Sequence, residues 1–530
     1  MAIKTMPLKF LANVKTDWGT IFAGQWLVAA KLGLPRLVFT NAFRRAHTTG
    51  QMQGSAWRLI SEYCDYRGSY CMIIPKYFRH RKRGLMWGTT VAAMIAFWTV
   101  PGVAQLGIPA PSSDRVVEYK PTPGNLAARE WFQDAKFGIF LHWGLYSELA
   151  GAEWIMQDNK IPAAKYERLA RFFNPTKFDA DAWVQSFKAA GANYIVITSK
   201  HHDGFAMFGS KVSPYNIVHA TPYSHDPMVD LAAACRRHGI KLFFYYSQLD
   251  WHHPDYFPRG VTGQYAGRAN TGDWEKYLDY QNAQLRELLT NYGPIGGIWF
   301  DGWWDQEKTA LASRWQLQRT YRLIHELQPT AMIVNNHHKV PFVGEDYQAF
   351  ERDLPGENGM GFNEAGVGQL PLEMAETMNS SWGFNLVDDK YKTPRTLVRT
   401  MVSAAGRNAN FLLNTGPMPN GEIQPENLHT FTQIGAWLKT HGESIYGTRG
   451  GPVPPRSWGV TTRRGKMVYV HILEQHDGRL FLPISEGVAR ARLFEGGAEI
   501  PVSTVAGGVE LSNIPAFGEQ WDQIVALELR

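Results

Sequence analysis

Two rhythms of apolar and polar positions run along this chain. From about residue 129 to 417, short apolar runs take turns with stretches whose apolar residues recur every three or four positions. KFGIFLHWG (136–144), NYIVITSKHHDGF (193–205), KLFFYYSQLDW (241–251), GIWFDGWWD (297–305), AMIVNNHH (331–338) and ANFLLNTGP (409–417) read as buried strands, several of them running on into a loop. FDADAWVQSFKAAG (178–191), DLAAACRRHGI (230–240), GDWEKYLDYQNAQLRELLTNYG (272–293), SRWQLQRTYRLIHELQP (313–329) and TPRTLVRTMVSAAGRN (393–408) read as helices. Apolar strands that alternate with helices predict an α/β fold with a parallel sheet under a helical coat. Repetition of the unit over roughly 300 residues predicts a (β/α) TIM-like barrel rather than an open sheet. No Gly-rich dinucleotide turn follows a strand, which weakens the open-sheet alternative. After IGAWLKTHG (434–442) the helical period stops. Short alternating runs such as KMVYVHIL (466–473), RLFLPI (479–484) and IVALELR (524–530) then predict a small C-terminal β-sandwich. The expected layout is a catalytic barrel over 126–445 and a β-sandwich over 446–530.

One apolar run fits neither rhythm. GLMWGTTVAAMIAFWTV (84–100) follows the basic cluster Arg79-His80-Arg81-Lys82-Arg83 and precedes Pro101-Gly102-Val103-Ala104. A basic segment, a short apolar stretch and small residues at a cut site predict a secretory signal peptide over 72–104, cleaved after Ala104. The run is short for a membrane span. The expectation is therefore export to the periplasm or beyond, with no stable membrane insertion after cleavage. A signal normally lies near its own start, so Met72 is the expected first residue. Residues 1–71 then read as an over-extended or removed extension with no assigned function. Residues 105–125, rich in Pro, Ser and Gly, read as a linker.

Charge follows the same division. Residues 1–104 carry 14 Lys and Arg against 3 Asp and Glu, and the remainder carries 40 against 45. The net charge of +6 is thus a property of the leader, and the mildly acidic body offers no nucleic-acid footprint. Removal of the leader takes Cys64 and Cys71 with it and leaves Cys235, which excludes an internal disulfide. Aromatic residues make up 13% of the chain, with 19 Trp. Flat rings stack on sugar faces, so the composition leans toward a carbohydrate site.

Polar and aromatic residues gather where the apolar strands end: His142-Trp143, His201-His202-Asp203, Tyr245-Tyr246-Ser247, Asp301 and Asn335-Asn336-His337. In a (β/α) barrel those ends share the face that carries active sites. Asp301 directly follows Gly-Ile-Trp-Phe, and a carboxylate there must find partners or cost several kcal/mol. That reads as a nucleophile or base in a water-poor pocket. A retaining glycosidase needs a second carboxyl group about 5–5.5 Å away. Glu345, Asp346, Glu351, Asp353 and Glu357 all qualify on chemistry, and spacing does not choose among them. The adjacent pairs His201-His202, His252-His253 and His337-His338 argue against a metal, because neighbours on an extended strand face opposite ways.

WFQDAKFGIFLHWGLYS, EWIMQ, ITSKHHDGFAMF, FFYYSQLDW, IWFDGWWD and LLNTGPMPNGEI, spread in order over about residues 116–450, resemble the alpha-L-fucosidases of glycoside hydrolase family 29. The resemblance implies an exo-acting hydrolase that takes terminal alpha-L-fucose from oligosaccharides or glycoconjugates. It implies a retaining mechanism through a covalent glycosyl-enzyme, with no metal and no cofactor. The nucleophile carries over to Asp301. Sugar contacts carry over to His142, Glu153, Trp154, His201 and His202, to Tyr245 with Tyr246 as its rival, and to Trp382 beside the fucose methyl. The segment DYQAFE resembles the strand that ends in the acid/base, which points to Glu351, with Glu345 as runner-up. Where many members carry an Arg, this chain has Asn335-Asn336-His337-His338, and His337 is expected in the Arg's place. Alternatives are a related hydrolase or transfucosidase acting on L-galactose, a glycan-binding protein without catalysis, and a metal-dependent hydrolase. Linkage preference and oligomeric state stay open.

Overall fold

The computed structural model describes residues 119–363 and 366–530. The expected extension (1–71), the signal peptide (72–104) and the linker up to residue 118 lie outside the described residues. A helix, α1 (Pro123–Ala135), begins just before residue 126. The Thr122 side chain caps it by accepting from the Asn125 N–H, and a proline sits in its first turn.

Eight strands follow: β1 (Phe137–Leu141), β2 (Tyr194–Lys200), β3 (Lys241–Ser247), β4 (Gly297–Asp301), β5 (Met332–Asn335), β6 (Gln348–Glu351), β7 (Leu372–Thr377) and β8 (Ala409–Thr415). They form one parallel sheet in the order β5-β4-β3-β2-β1-β8-β7-β6, rolled into a TIM-like near-barrel. Helices α2 (Ala180–Ala189), α3 (Pro227–His238), α4 (Trp274–Asn291), α5 (Leu317–Leu327) and α6 (Pro394–Gly406) lead into β2, β3, β4, β5 and β8. Among the described residues no helix of comparable length separates β5, β6 and β7, and β7, which the apolar pattern does not single out, carries a buried Glu373 as its second residue.

Residues of one parity point inward. Phe140, Tyr194, Val196, Phe243, Tyr245, Trp299, Met332, Val334, Tyr347, Ala349, Ala375 and Leu412 pack with Phe132 of α1 as one buried cluster inside the barrel. Phe132 plugs the strand-start end, 4.4 Å from the Tyr347 ring. The opposite parity packs under the helices. The period-two switch separates Tyr245 from its neighbour Tyr246, whose hydroxyl donates outside the barrel to Gln284.

No backbone ladder joins β5 to β6. Asp346 closes the seam instead: its N–H donates to the Ile333 carbonyl, and its Oδ2 accepts from the Ile333 N–H, both at 2.7 Å. Arg129 of α1 at 2.7 Å and His325 of α5 at 3.1 Å hold the same fully buried carboxylate.

After α7 (Pro425–His441) the chain becomes all-β. A five-stranded antiparallel sheet comprises β9 (Arg449–Gly450), β10 (Gly459–Arg464), β11 (Met467–Ile472), β13 (Val488–Leu493) and β16 (Gln523–Leu529). A three-stranded sheet of β12 (Leu480–Leu482), β14 (Val502–Val505) and β15 (Gly508–Leu511) faces it across a core that includes Val468, Val470, Leu482, Leu511 and Val525. The sandwich docks on α6, where a side chain at Gly406 would begin 2.4 Å from Val460.

Candidate active site

The strand ends open into a cavity of about 410 Å³. His142 follows β1, His201 and His202 follow β2, Tyr245 lies in β3, Asp301 ends β4, Asn336 follows β5 and Glu351 ends β6; all line it. Glu153, Trp154 and Trp382 reach it from longer loops.

Asp301 stands where the β4 ladder ends, paired in register with Ser247. Its Oδ1 accepts from the Gly302 N–H at 2.8 Å, the Trp304 indole N–H at 3.0 Å and the Asn336 amide at 3.4 Å. Its Oδ2 accepts from the Tyr245 hydroxyl at 2.8 Å and lies 3.6 Å from His202 Nε2. The local chain turn makes this possible. Gly302 has φ 88°, and a Cβ there would sit 2.6–2.7 Å from Leu249. The turn starts a short 3₁₀ segment, Trp303–Gln306, that brings the Trp304 indole back over the carboxylate. The donors hold Asp301 as an acceptor in a nearly dry site.

Glu351 is tied to Asp301 through one atom. The Asn336 amide nitrogen donates to Glu351 Oε2 at 2.8 Å as well as reaching Asp301. Burial, then the negative charge of Asp301, pushes the Glu351 carboxyl up to about 7. Its four rivals are committed elsewhere. Glu345 accepts from Tyr321, His337 and the Phe342 N–H outside the cavity. Asp346 closes the barrel seam. Asp353 organises the next loop by accepting from the Gly359 N–H and the Asn363 amide. Glu357 pairs with Arg407 at 2.6 Å.

His337 does not occupy the position expected of it. Its Nε2 lies 3.0 Å from Glu345, and the ring packs at 4.0 Å on Phe342, away from the cavity. The adjacent His338 lines the cavity instead, 3.9 Å from Glu351. Val334 faces inward and Asn336 follows on the same side just past the strand's end. The chain then leaves the extended conformation, and His338, with φ 61°, lies at the cavity while His337 does not. Asn336 stands in the strand-end cluster read from the sequence, whereas His338 is not singled out there. Trp304 was also passed over, and only the turn at Gly302 reveals it.

The walls are aromatic. Tyr245 stacks between His201 at 5.4 Å and Trp299 at 5.6 Å, and Trp154 stacks on Trp304 at 5.9 Å. Trp382 lies 5.3 Å from His142 and 5.8 Å from Phe140. Burial lowers the imidazoles, His142 to about 3 and His202 to about 4, with His201 also well below its usual value. They are neutral at ordinary pH. Glu153 accepts from the Gly383 N–H at 2.8 Å, and burial raises its carboxyl. Beneath the two histidines of the β2 loop, Lys200 and Asp250 form a fully buried ion pair at 3.0 Å. Among the described residues, no three His, Cys, Asp or Glu side chains are gathered as a metal site.

An apolar-walled cleft with two facing carboxyl groups and neutral histidines suits a sugar ring. Comparison with known proteins agrees. The sequence profile described as alpha-L-fucosidase matches residues 109–443. Human plasma alpha-L-fucosidase is 30% identical over 412 residues, 71% of this chain and 82% of that protein. Alpha-L-fucosidase isoenzyme 1 from Paenibacillus thiaminolyticus is 33% identical with a TM-score of 0.68, over 77% of this chain and all of that one. A family 29 alpha-L-fucosidase from Bacteroides thetaiotaomicron, solved as a trapped covalent intermediate with 2-fluoro-fucosyl fluoride, is 28% identical with a TM-score of 0.66, over 78% of this chain and 97% of that one. With its profile match spanning more than half its length, its eight-stranded near-barrel and its strand-end cleft, this chain belongs to the alpha-L-fucosidases of glycoside hydrolase family 29.

Proposed function

We propose that the protein removes terminal α-L-fucose from oligosaccharides or glycoconjugates by retaining double displacement, with Asp301 as nucleophile and Glu351 as acid/base. The observation that carries this reading is the shared Asn336 amide. One nitrogen at 3.4 Å from Asp301 Oδ1 and 2.8 Å from Glu351 Oε2 holds those two oxygens within the sum of the distances. So close an approach supports the about 5–5.5 Å of a retaining pair over the about 6.5–9.5 Å of an inverting one. Three N–H donors occupy Asp301 Oδ1, so Oδ2, with a single donor, is the oxygen that attacks the anomeric carbon. Glu351, protonated near neutral pH, gives its proton to the departing glycosidic oxygen as the carbon–oxygen bond breaks. It then takes a proton from the water that attacks the glycosyl-enzyme and frees Asp301. Tyr245 donates to the same Oδ2 and eases its return as leaving group. The indole of Trp382 covers the sugar's methyl face.

Hydrolysis of an aryl α-L-fucoside tests the assignment. Azide should rescue Asp301→Ala as β-L-fucosyl azide and Glu351→Ala as α-L-fucosyl azide, because each variant opens a different face. Wild-type-like activity of Asp301→Ala ends the reading. For the leader, export is supported by its basic–apolar–small pattern. A mature N-terminus upstream of residue 72 would overturn the expected start at Met72, and one that keeps residues 72–104 would overturn cleavage after Ala104.

A further inference from the structure

We propose that Ser247 and Asn414 lock His202 and His142 as Nδ1–H tautomers, so that each presents a bare Nε2 lone pair to a hydroxyl of the sugar. The inference rests on the fucosidase reading for the ligand, while the tautomers follow from hydrogen-bond accounting alone.

The Ser247 hydroxyl lies 2.5 Å from the Leu249 carbonyl and 2.7 Å from His202 Nδ1. A carbonyl only accepts, so the one hydroxyl proton belongs to Leu249. Without that proton, two oxygen lone pairs would face each other at 2.5 Å. Ser247 Oγ is left as an acceptor, and His202 Nδ1 must donate to it. A neutral imidazole has one N–H, so Nε2 is bare. It faces Asp301 Oδ2 across 3.6 Å with no proton between them.

The same reasoning holds across the cavity. The Asn414 amide nitrogen donates to the Trp382 carbonyl at 2.6 Å, which turns the amide oxygen toward His142 Nδ1 at 2.7 Å. An amide oxygen only accepts, so His142 Nδ1 carries the proton and Nε2 is again bare. Ser247 and Asn414 are fully buried and stand outside the cavity lining. They are positioning residues that act through the two rings.

The consequence is a rule of polarity. Hydroxyls facing these rings must donate, and a group that can only accept meets a lone pair. Replacement of such a hydroxyl by fluorine should weaken binding at least as much as its removal, whereas a donor imidazole would favour fluorine over hydrogen. A site that hydrogen-bonds a hydroxyl rejects analogues lacking it strongly.

The test starts with the substrate-free protein labelled with ¹⁵N in its histidine rings. His202 and His142, identified by the signals lost in His202→Asn and His142→Asn, should show protonated Nδ1 and unprotonated Nε2 near neutral pH. Protonated Nε2 in either ring overturns the proposal, whatever the enzyme hydrolyses. Inhibition by L-fucose analogues carrying hydrogen or fluorine at the 3- or 4-position then reads polarity. Fluoro analogues should bind equally or worse than deoxy ones, and tenfold tighter fluoro binding at both positions overturns it. In Ser247→Ala, His202 should populate the Nε2–H tautomer and kcat/KM should fall ten- to a hundredfold. Ser247→Ala with an unchanged Nδ1–H signal would show that Ser247 is not the lock. Failure to hydrolyse any α-L-fucoside would strike the parent reading and leave the ring signals intact.

Discussion

The Tyr245 hydroxyl donates to Asp301 Oδ2 at 2.8 Å, while the ring behind it stacks on Trp299. Adjacent strands in register bring the pair together: Tyr245 sits beside Trp299, and Ser247 beside Asp301. Loss of this donor removes a charge-assisted hydrogen bond worth about 1.5–3 kcal/mol. Tyr245→Phe should therefore lower kcat about ten- to a hundredfold with little change in melting temperature. Steady-state kinetics beside calorimetry would check this, and an unchanged kcat would remove Tyr245 from the mechanism.

Glu351 sets a direction for the pH dependence. In its proposed role as the acid Glu351 works protonated, and burial with the Asp301 charge holds its carboxyl at about 7. Activity should hold below that value and fall as pH rises through it. Replacement of the Asp301 charge by an amide removes one cause of the elevation. In Asp301→Asn the Glu351 carboxyl should titrate lower, which a carboxyl-specific infrared band can follow.

The two neighbouring histidines should separate cleanly. His338→Ala alters a cavity wall beside Glu351 and should lower kcat/KM with modest loss of stability. His337→Ala strips a buried partner from Glu345. Glu345 keeps Tyr321 and the Phe342 N–H but loses a hydrogen bond to a charged group, worth about 1.5–3 kcal/mol, so this variant should melt several degrees lower with kinetics near normal. The opposite pattern would restore His337 to the sugar site.

Lys200 and Asp250 are both shut away from solvent. Removal of one partner leaves a buried charge, at a cost of about 3–5 kcal/mol. Lys200→Met should lose that much in a denaturation series. Lys200→Met with Asp250→Asn should recover part of it, because no charge is then stranded.

Much of the barrel was legible because burial writes a period into the chain. The apolar runs that lead to His142, Tyr245 and Asp301 are each followed by a polar break. The cavity walls follow from that pattern and from motif likeness. β7 escaped because Glu373 interrupts its apolar face, where Tyr194 and Trp299 satisfy the carboxylate inside the barrel. Trp304 escaped because its place depends on the left-handed turn at Gly302 rather than on strand parity. Spacing alone leaves Glu351 and Glu345 open, and the likeness of DYQAFE to the family's strand points to Glu351. The partners Tyr321 and His337 add what the sequence does not contain, that Glu345 is held outside the cavity.

The open seam beside β6 bears on how such an enzyme can change. β6 is laddered to β7 alone, and toward β5 it is fastened by the Asp346 carboxylate rather than by a continuous backbone register. Insertions or deletions between His338 and Asp346 therefore need not shift β4, which carries Asp301. β4, which carries the proposed nucleophile, is laddered on both sides, whereas β6, which carries the proposed acid, is laddered on one. Half of the proposed pair sits in a continuous frame and the other half at its edge, so the loop before β6 can be rebuilt while the strand of Asp301 stays in place.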